Sequence, residues 1–161
     1  MTGMALRAIR IGMTANRKIR GAIQFAALPY RIDAEGVPQV MLVTSRETRR
    51  WVIPKGWAIK GLKPAQVAAR EAYEEAGLVG PVIGEEPIGS FHYEKVLPGG
   101  RRLCEVKVFL LRVDRQLDDW PENGQRETRW FGPAEAAVLV DETGLADVIR
   151  QACLMVPVTT S

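Results

Sequence analysis

Residues 56–78 read GWAIKGLKPAQVAAREAYEEAGL. The second half of this stretch predicts a helix from Pro64 to Ala76. Pro64 suits the first helical position, where a missing amide proton costs no hydrogen bond. Ala65, Ala68, Ala69, Ala72 and Ala76 are strong helix formers. Gly77 is a stop, since glycine takes the left-handed backbone that follows a helix end. Ala65, Ala69, Ala72 and Ala76 share one narrow stripe, small enough to lie close against a sheet. Glu71, Glu74 and Glu75 point elsewhere, within an arc of about 100°.

Three carboxylates at that spacing repel one another by a few tenths of a kcal/mol, roughly, per pair. Arg70 is placed to pair with Glu74 and recover part of this. Two readings follow from the spacing. The glutamates form a solvated acidic face, or they form a hard-oxygen site for magnesium or manganese, whose usual partners are carboxylates and phosphates.

Working outward, Trp51–Ile53 reads as a short strand ended by Pro54, which cannot donate to a ladder. An irregular segment holding Gly56 and Gly61 follows. Upstream, Ile19–Leu28 reads as a strand ended by Pro29, and Val40–Thr44 as its hairpin partner across a turn at Asp33–Pro38. Downstream, Pro81–Tyr93 contains one or two extended pieces, and Pro98-Gly99-Gly100 marks a turn within Leu97–Arg101. Leu103–Val113 is a long strand, Asp114–Gln125 a polar loop and Thr128–Phe131 another strand. Helices are expected at Pro133–Val140 and Thr143–Cys153. Strands interspersed with helices predict an α/β domain, a mixed sheet with helices on its faces.

The chain has 161 residues, enough for one core, and its 47% apolar and 25% charged composition is that of a globular domain. Residues 1–18 read as an N-terminal arm and residues 157–161 as a loose tail around a domain at 19–156. The arm lacks the continuous apolar run of a signal peptide; an amphipathic targeting segment is the alternative. No apolar run is long enough to span a membrane. Cys104 and Cys153 have neither metal-site spacing nor disulfide-scaffold density, which fits a reduced, cytoplasmic setting. His92 is the single histidine, and Ser45 and Ser90 lack a base partner, so histidine sites and nucleophilic triads are not expected. No nucleic-acid-binding motif is present. A net charge of +3 permits an anionic ligand without requiring one.

The spacing from Gly56 to Leu78 resembles the signature of the Nudix hydrolase family. That signature is a glycine, five residues, a glutamate, seven residues, then Arg-Glu-apolar-any-Glu-Glu-any-Gly-apolar. Gly56, Arg70, Glu71, Ala72, Glu74, Glu75, Gly77 and Leu78 match it; Leu62 stands where the first glutamate is usual. Arg50-Trp51-Val52-Ile53-Pro54-Lys55-Gly56, Asp119-Trp120-Pro121-Glu122, Arg129-Trp130-Phe131 and Glu135-Ala136 look like the diphosphoinositol and diadenosine polyphosphate hydrolase branch. The likeness covers about residues 20–150.

The resemblance implies a Nudix α/β/α sandwich with a mixed sheet between helices. It also implies hydrolysis of a phosphoanhydride, in a dinucleoside polyphosphate or a related polyphosphate, with Mg2+ or Mn2+. Glu71, Glu74 and Glu75 would be the ligands, with a backbone carbonyl from Lys55 or Gly56, and Arg70 belongs to the same catalytic set. Glu122 and Glu127 are the acidic residues outside the signature to inspect. Arg50, Lys55, Arg101 and Arg102 are the expected phosphate contacts, because arginine binds phosphate bidentately. Trp57 would cover the ligand, whereas Trp51 and Trp130 read as core. Nucleotide sugars and nucleoside triphosphates are alternative substrates, and Leu62 leaves open a weakly catalytic nucleotide-binding protein. A small-molecule partner and a monomer or homodimer are expected; membrane and nucleic acid are not.

Overall fold

The computed structural model describes residues 22–156, so the predicted arm at 1–18 and tail at 157–161 lie outside the described residues. Side-chain alternation dictates the layers. In strand β1 (Ile23–Ile32), Ala26, Leu28 and Tyr30 join one core, while Ala27 joins the other with Phe25 against it. In β2 (Pro38–Thr44), Val40 and Leu42 oppose Met41 and Val43. In β8 (Gly100–Arg112), Val106, Val108 and Leu110 oppose Phe109 and Leu111. Strands apolar on both parities must be covered on both faces.

The cover differs between the faces. Helix α1 (Pro64–Ala76) lays Ala68, Ala72 and Ala76 on the odd-numbered face, with Ala65 and Ala69 partly buried alongside. Ala72 and Ala76 belong to the predicted small-residue stripe, and Ala68, outside it, is the third fully buried alanine. Helices α2 (Pro133–Leu139) and α3 (Thr143–Met155) cover the other face with larger residues, among them Leu145, Val148 and Ile149. The result is an α/β/α sandwich around a mixed sheet.

Strand β1 lies at the centre, parallel to β8 and antiparallel to β2 and to β4 (Lys55–Trp57). β3 (Trp51–Val52) and β10 (Thr128–Phe131) extend β2, while β6 (Val82–Ile83) and β7 (Gly89–Leu97) both pair with β8. β5 (Leu78–Val79) and β9 (Arg115–Gln116) form a separate ribbon. Among the described residues no helix is long and apolar enough to cross a membrane.

Several local expectations are corrected. Pro29 does not end its strand. It falls between the segment of β1 that pairs with β4 and the segment that pairs with β2, opposite Leu111 of β8. Ala27 donates toward Pro54 on the β4 side, so alternation puts the nitrogen of Pro29 on that same edge, where no partner needs a donor. Lys55–Trp57 is not irregular: it pairs with Gln24–Ala26. The loop at Asp114–Gln125 contributes β9. Helix α2 stops one residue earlier than expected and α3 runs two residues further. Trp51 packs edge-on against Phe131 at 5.1 Å and Trp130 packs on the α1-side core, as expected of core aromatics. Cys104 is a buried thiol.

Candidate functional site

The site is organised by the C-terminal end of α1. Gly77 takes φ 68°, and its N–H closes the helix onto Tyr73 O at 2.9 Å. A strap spanning residues 114–126 bonds three further carbonyls at this end. Gln116 Nε2 donates to Ala76 O (2.9 Å), Leu117 N to Gly77 O (2.8 Å) and Glu122 N to Glu74 O (3.0 Å). The Trp120 ring lies so close on Gly77 that a Cβ there would clash with it. Helix ends leave such carbonyls without intrahelical partners, and the strap supplies donors for them. It carries Glu122 and Arg126 to the glutamates.

Glu75 is 3% exposed. Its Oε2 accepts the Lys55 N–H at 2.8 Å, and its Oε1 pairs with Arg126 Nη2 at 3.0 Å. The Arg126 Nε donates to Glu122 Oε1 (3.1 Å) and its Nη1 to Thr44 O (3.1 Å). Glu71 lies within hydrogen-bonding reach of Glu75 and presses on Gly56, where any side chain would overlap its carboxyl. Glu74 Oε1 accepts from Arg70 Nε at 3.0 Å, the predicted i,i+4 pair. β4 therefore approaches α1 through a glycine, and the strap approaches through an arginine.

Burial sets the electrostatics. The Glu71 carboxyl is pushed up to about 7, first by burial and then by the charges of Glu74 and Glu122. Glu75 is also pushed up to about 7 by burial, against the opposing pull of Arg126 and Lys55. Burial holds the Lys55 amine below the usual lysine range, opposed by Glu75 and Glu142. A carboxylate pair strained in this way gains from a cation.

A cavity of about 430 Å³ opens beside Glu75, with Lys55, Arg126, Arg46, Arg50, Lys95 and Tyr93 in its wall. Lys55 Nζ stands 5.1 Å from the Tyr93 ring centroid. A larger cavity of about 560 Å³ lies on the α1 side between Lys63–Ala65 and Val82–Pro87, but none of the helix glutamates lines it. The smaller cavity, next to the buried carboxylate, is the one placed for chemistry.

The structure brings together Glu71, Glu75, Lys55 and Gly56, with Glu74 at the edge. Arg50 lines the cavity while its Nη1 lies 3.3 Å from Asp141 and 3.5 Å from Glu142. Trp57 does not line the cavity; it is 37% exposed, with Lys95 Nζ, which does, 5.8 Å from its ring. Arg101 and Arg102 sit at the β7–β8 turn and do not line the cavity; Arg101 pairs with Glu94 at 3.3 Å. Of the two further acids, Glu122 joins the cluster, whereas Glu127 pairs outward with Arg129 at 2.6 Å. Leu62, partly buried, donates its N–H to Ile59 O in the turn before α1. Sequence reasoning missed Arg126, Lys95 and Tyr93. The one local signal for Arg126 is its place four residues after Glu122.

The donor set fits a hard divalent cation in kind, since Glu71, Glu74, Glu75 and Glu122 offer carboxylate oxygens alone. Among the described residues, no three acidic, histidine or cysteine side chains are gathered into a preformed cation site. The reason is visible: Arg126 and the Lys55 amide hold Glu75, and Arg70 holds Glu74. Ladder alternation turns the backbone polar groups of Gly56 toward β1 and those of Lys55 toward α1.

The chain is 33% identical over 117 residues to Nudix hydrolase 13, mitochondrial, of Arabidopsis thaliana, covering 67% of this chain and 56% of that protein. It is 32% identical over 114 residues to diphosphoinositol polyphosphate phosphohydrolase 2 of Rattus norvegicus, covering 69% and 58%. It thus spans a little over half the length of these relatives. The fold superposes on a C. elegans Ap4A hydrolase binary complex with a TM-score of 0.62 at 17% identity, covering 83% of this chain and 96% of that one. It superposes equally, at 16% identity and TM-score 0.62, on the NUDIX domain of Shewanella oneidensis NrtR complexed with ADP ribose, covering 83% and 86%. Residues 24–152 match the NUDIX domain family, and the chain belongs to it.

Proposed function

We propose that this protein hydrolyses a phosphoanhydride bond in a dinucleoside polyphosphate or a related polyphosphate, by water attack at phosphorus. The observation that carries this reading is the buried Glu75, set between Glu71 and a cation-lined cavity on the helix that bears the family signature. The names of the rat and nematode relatives support the polyphosphate branch.

Glu71, Glu74 and Glu75 would hold Mg2+ or Mn2+, and the Lys55 carbonyl is better turned toward them than that of Gly56. A bound divalent cation supplies charge neutralisation at a phosphoryl group and acidifies water. The chain's own residues do the rest. Lys55, Arg46 and Lys95 present positive charge to a polyphosphate in the cavity, and Trp57, next to Lys95, is the aromatic that would cover it. Arg50 contributes after its pairs with Asp141 and Glu142 are shared with phosphate. Arg70 orients Glu74 through their ion pair. Glu122, held by the strap, is the acid outside the signature best placed to accept a proton. The free thiols Cys104 and Cys153 fit a cytoplasmic, reducing setting.

The test is product release from diadenosine polyphosphates, an inositol pyrophosphate, ADP-ribose and a nucleoside triphosphate with magnesium. Turnover of the first two above the others is expected. No metal-dependent turnover of any of them would defeat the enzyme reading. Leu62 motivates a second reading, nucleotide binding without efficient catalysis. A large rate gain in Leu62→Glu would favour it, and strong activity of the unaltered protein would exclude it.

A further inference from the structure

Arg126 uses all three of its nitrogens, and it divides them unequally. Nε and Nη1 are anchored to Glu122 and to the Thr44 carbonyl, on the strap and on β2. Nη2 alone reaches Glu75. The guanidinium is therefore held in place without Glu75. Losing that contact removes one ion pair and leaves two anchors. The same residue also lines the cavity, so the face it shows to Glu75 borders the space a ligand would fill.

Its charge stands where a cation serving Glu75 must come. A divalent ion and a guanidinium compete for one carboxylate oxygen and repel each other at close range. An uncompensated Glu75 would nonetheless be costly in a metal-free protein, because a buried carboxylate without a partner is strongly disfavoured. Arg126 resolves both demands.

We propose that Arg126 is a tethered stand-in cation for Glu75: a divalent ion takes that carboxylate from Nη2, while Nε and Nη1 keep their anchors and the freed charge borders the cavity. This rests on reading Glu71, Glu74 and Glu75 as the cation-holding groups. Arg126 is on this account a positioning residue: it keeps Glu75 in place before the ion arrives and sets how tightly the ion binds. Ion binding and anion binding are then linked, because the positive charge released from Glu75 faces the cavity.

The test is Mn2+ titration, by electron paramagnetic resonance, of the full chain freed of metal with a chelator. Wild type is compared with Arg126→Met, which keeps the stem and removes the charge. Mn2+ is expected to bind Arg126→Met about tenfold more tightly or better, since no resident cation must be displaced. Arg126→Lys should fall between. Equal or weaker binding in Arg126→Met overturns the inference and leaves the metal reading intact. No Mn2+ binding by wild type overturns both. If Arg126→Met does not fold, the side-chain Nε–H resonance of Arg126 in wild type is followed during Mg2+ titration. A saturable shift with the midpoint of Mg2+ binding is expected, and an unmoved resonance at saturation overturns the proposal.

Discussion

The Arg126 strap and the Arg101–Arg102 turn each present arginine, yet those arginines have different physical standing. Arg126 is 12% exposed, bonded to two carboxylates and a carbonyl, and tied to the helix that carries the glutamates. Arg101 is 74% exposed and, among the described residues, pairs only with Glu94. Adjacent arginines in a sequence advertise themselves; a single arginine folded against a buried glutamate does not. The difference teaches that an arginine's weight is set by how much water its partners have lost.

The largest expected effect is on stability. At pH 8 without metal, Arg126→Met should lower unfolding free energy by about 3–5 kcal/mol, because it strands a buried carboxylate. Urea denaturation checks this. The loss should shrink at pH 5, where Glu75, already pushed up to about 7, is protonated. An effect as small as that of Arg101→Met would erase the contrast.

Next comes Glu75→Gln, which keeps size and removes the charge Arg126 faces. Turnover should fall by about tenfold or more, a transition-state loss of roughly 1.4 kcal/mol at least. The paired measurement is Mn2+ affinity, expected to fall in parallel. Normal turnover and normal affinity together would sink the assigned site. Gly56→Ala should follow with a destabilisation of about 1–3 kcal/mol, since its methyl group meets the Glu71 carboxyl.

A pH series sharpens the electrostatic side. Glu71 and Glu75 are both raised from 4.5 to about 7 in the folded state. The folded protein thus binds more protons between those values. Their contribution to stability is fully present below pH 4.5 and is lost as pH rises through 7. In metal-free protein the urea midpoint should fall from pH 5 to pH 8, and Glu71→Gln should flatten the slope. The smallest effect belongs to the turn: Arg101→Ala should change stability by less than about 0.5 kcal/mol and leave turnover within twofold, roughly.

The sequence makes α1 plain because its signals are local. Pro64, the alanines and Gly77 each act within a few residues. The glutamate spacing is legible for the same reason, and so is the Arg70–Glu74 pair. Pro29 misleads because a proline's cost depends on which neighbour lies at its edge, and β4 and β2 come from elsewhere in the chain. Lys55–Trp57 is hidden as a strand because Pro54 and Gly56 read as breakers, yet β1 supplies a ladder there. Arg126 shows in sequence only its spacing from Glu122, because Thr44 and Glu75 become its partners only when the strap docks.

The parallel pairing of β1 with β8 has a kinetic consequence. Ile23 aligns with Glu105, about eighty residues later, so the central ladder closes over the whole glutamate helix. Local structure such as α1 can form early, but long-range parallel pairing must first overcome loop-closure entropy. The hairpin of β7 and β8 brings its strands together across a short turn and can wait, preformed, for β1. During synthesis, the first strand emerges long before its central partner and stays unpaired on that edge until β8 is made. Refolding should accordingly show hydrogen-exchange protection in α1 and the β7–β8 hairpin before β1, with the β1 amides protected last.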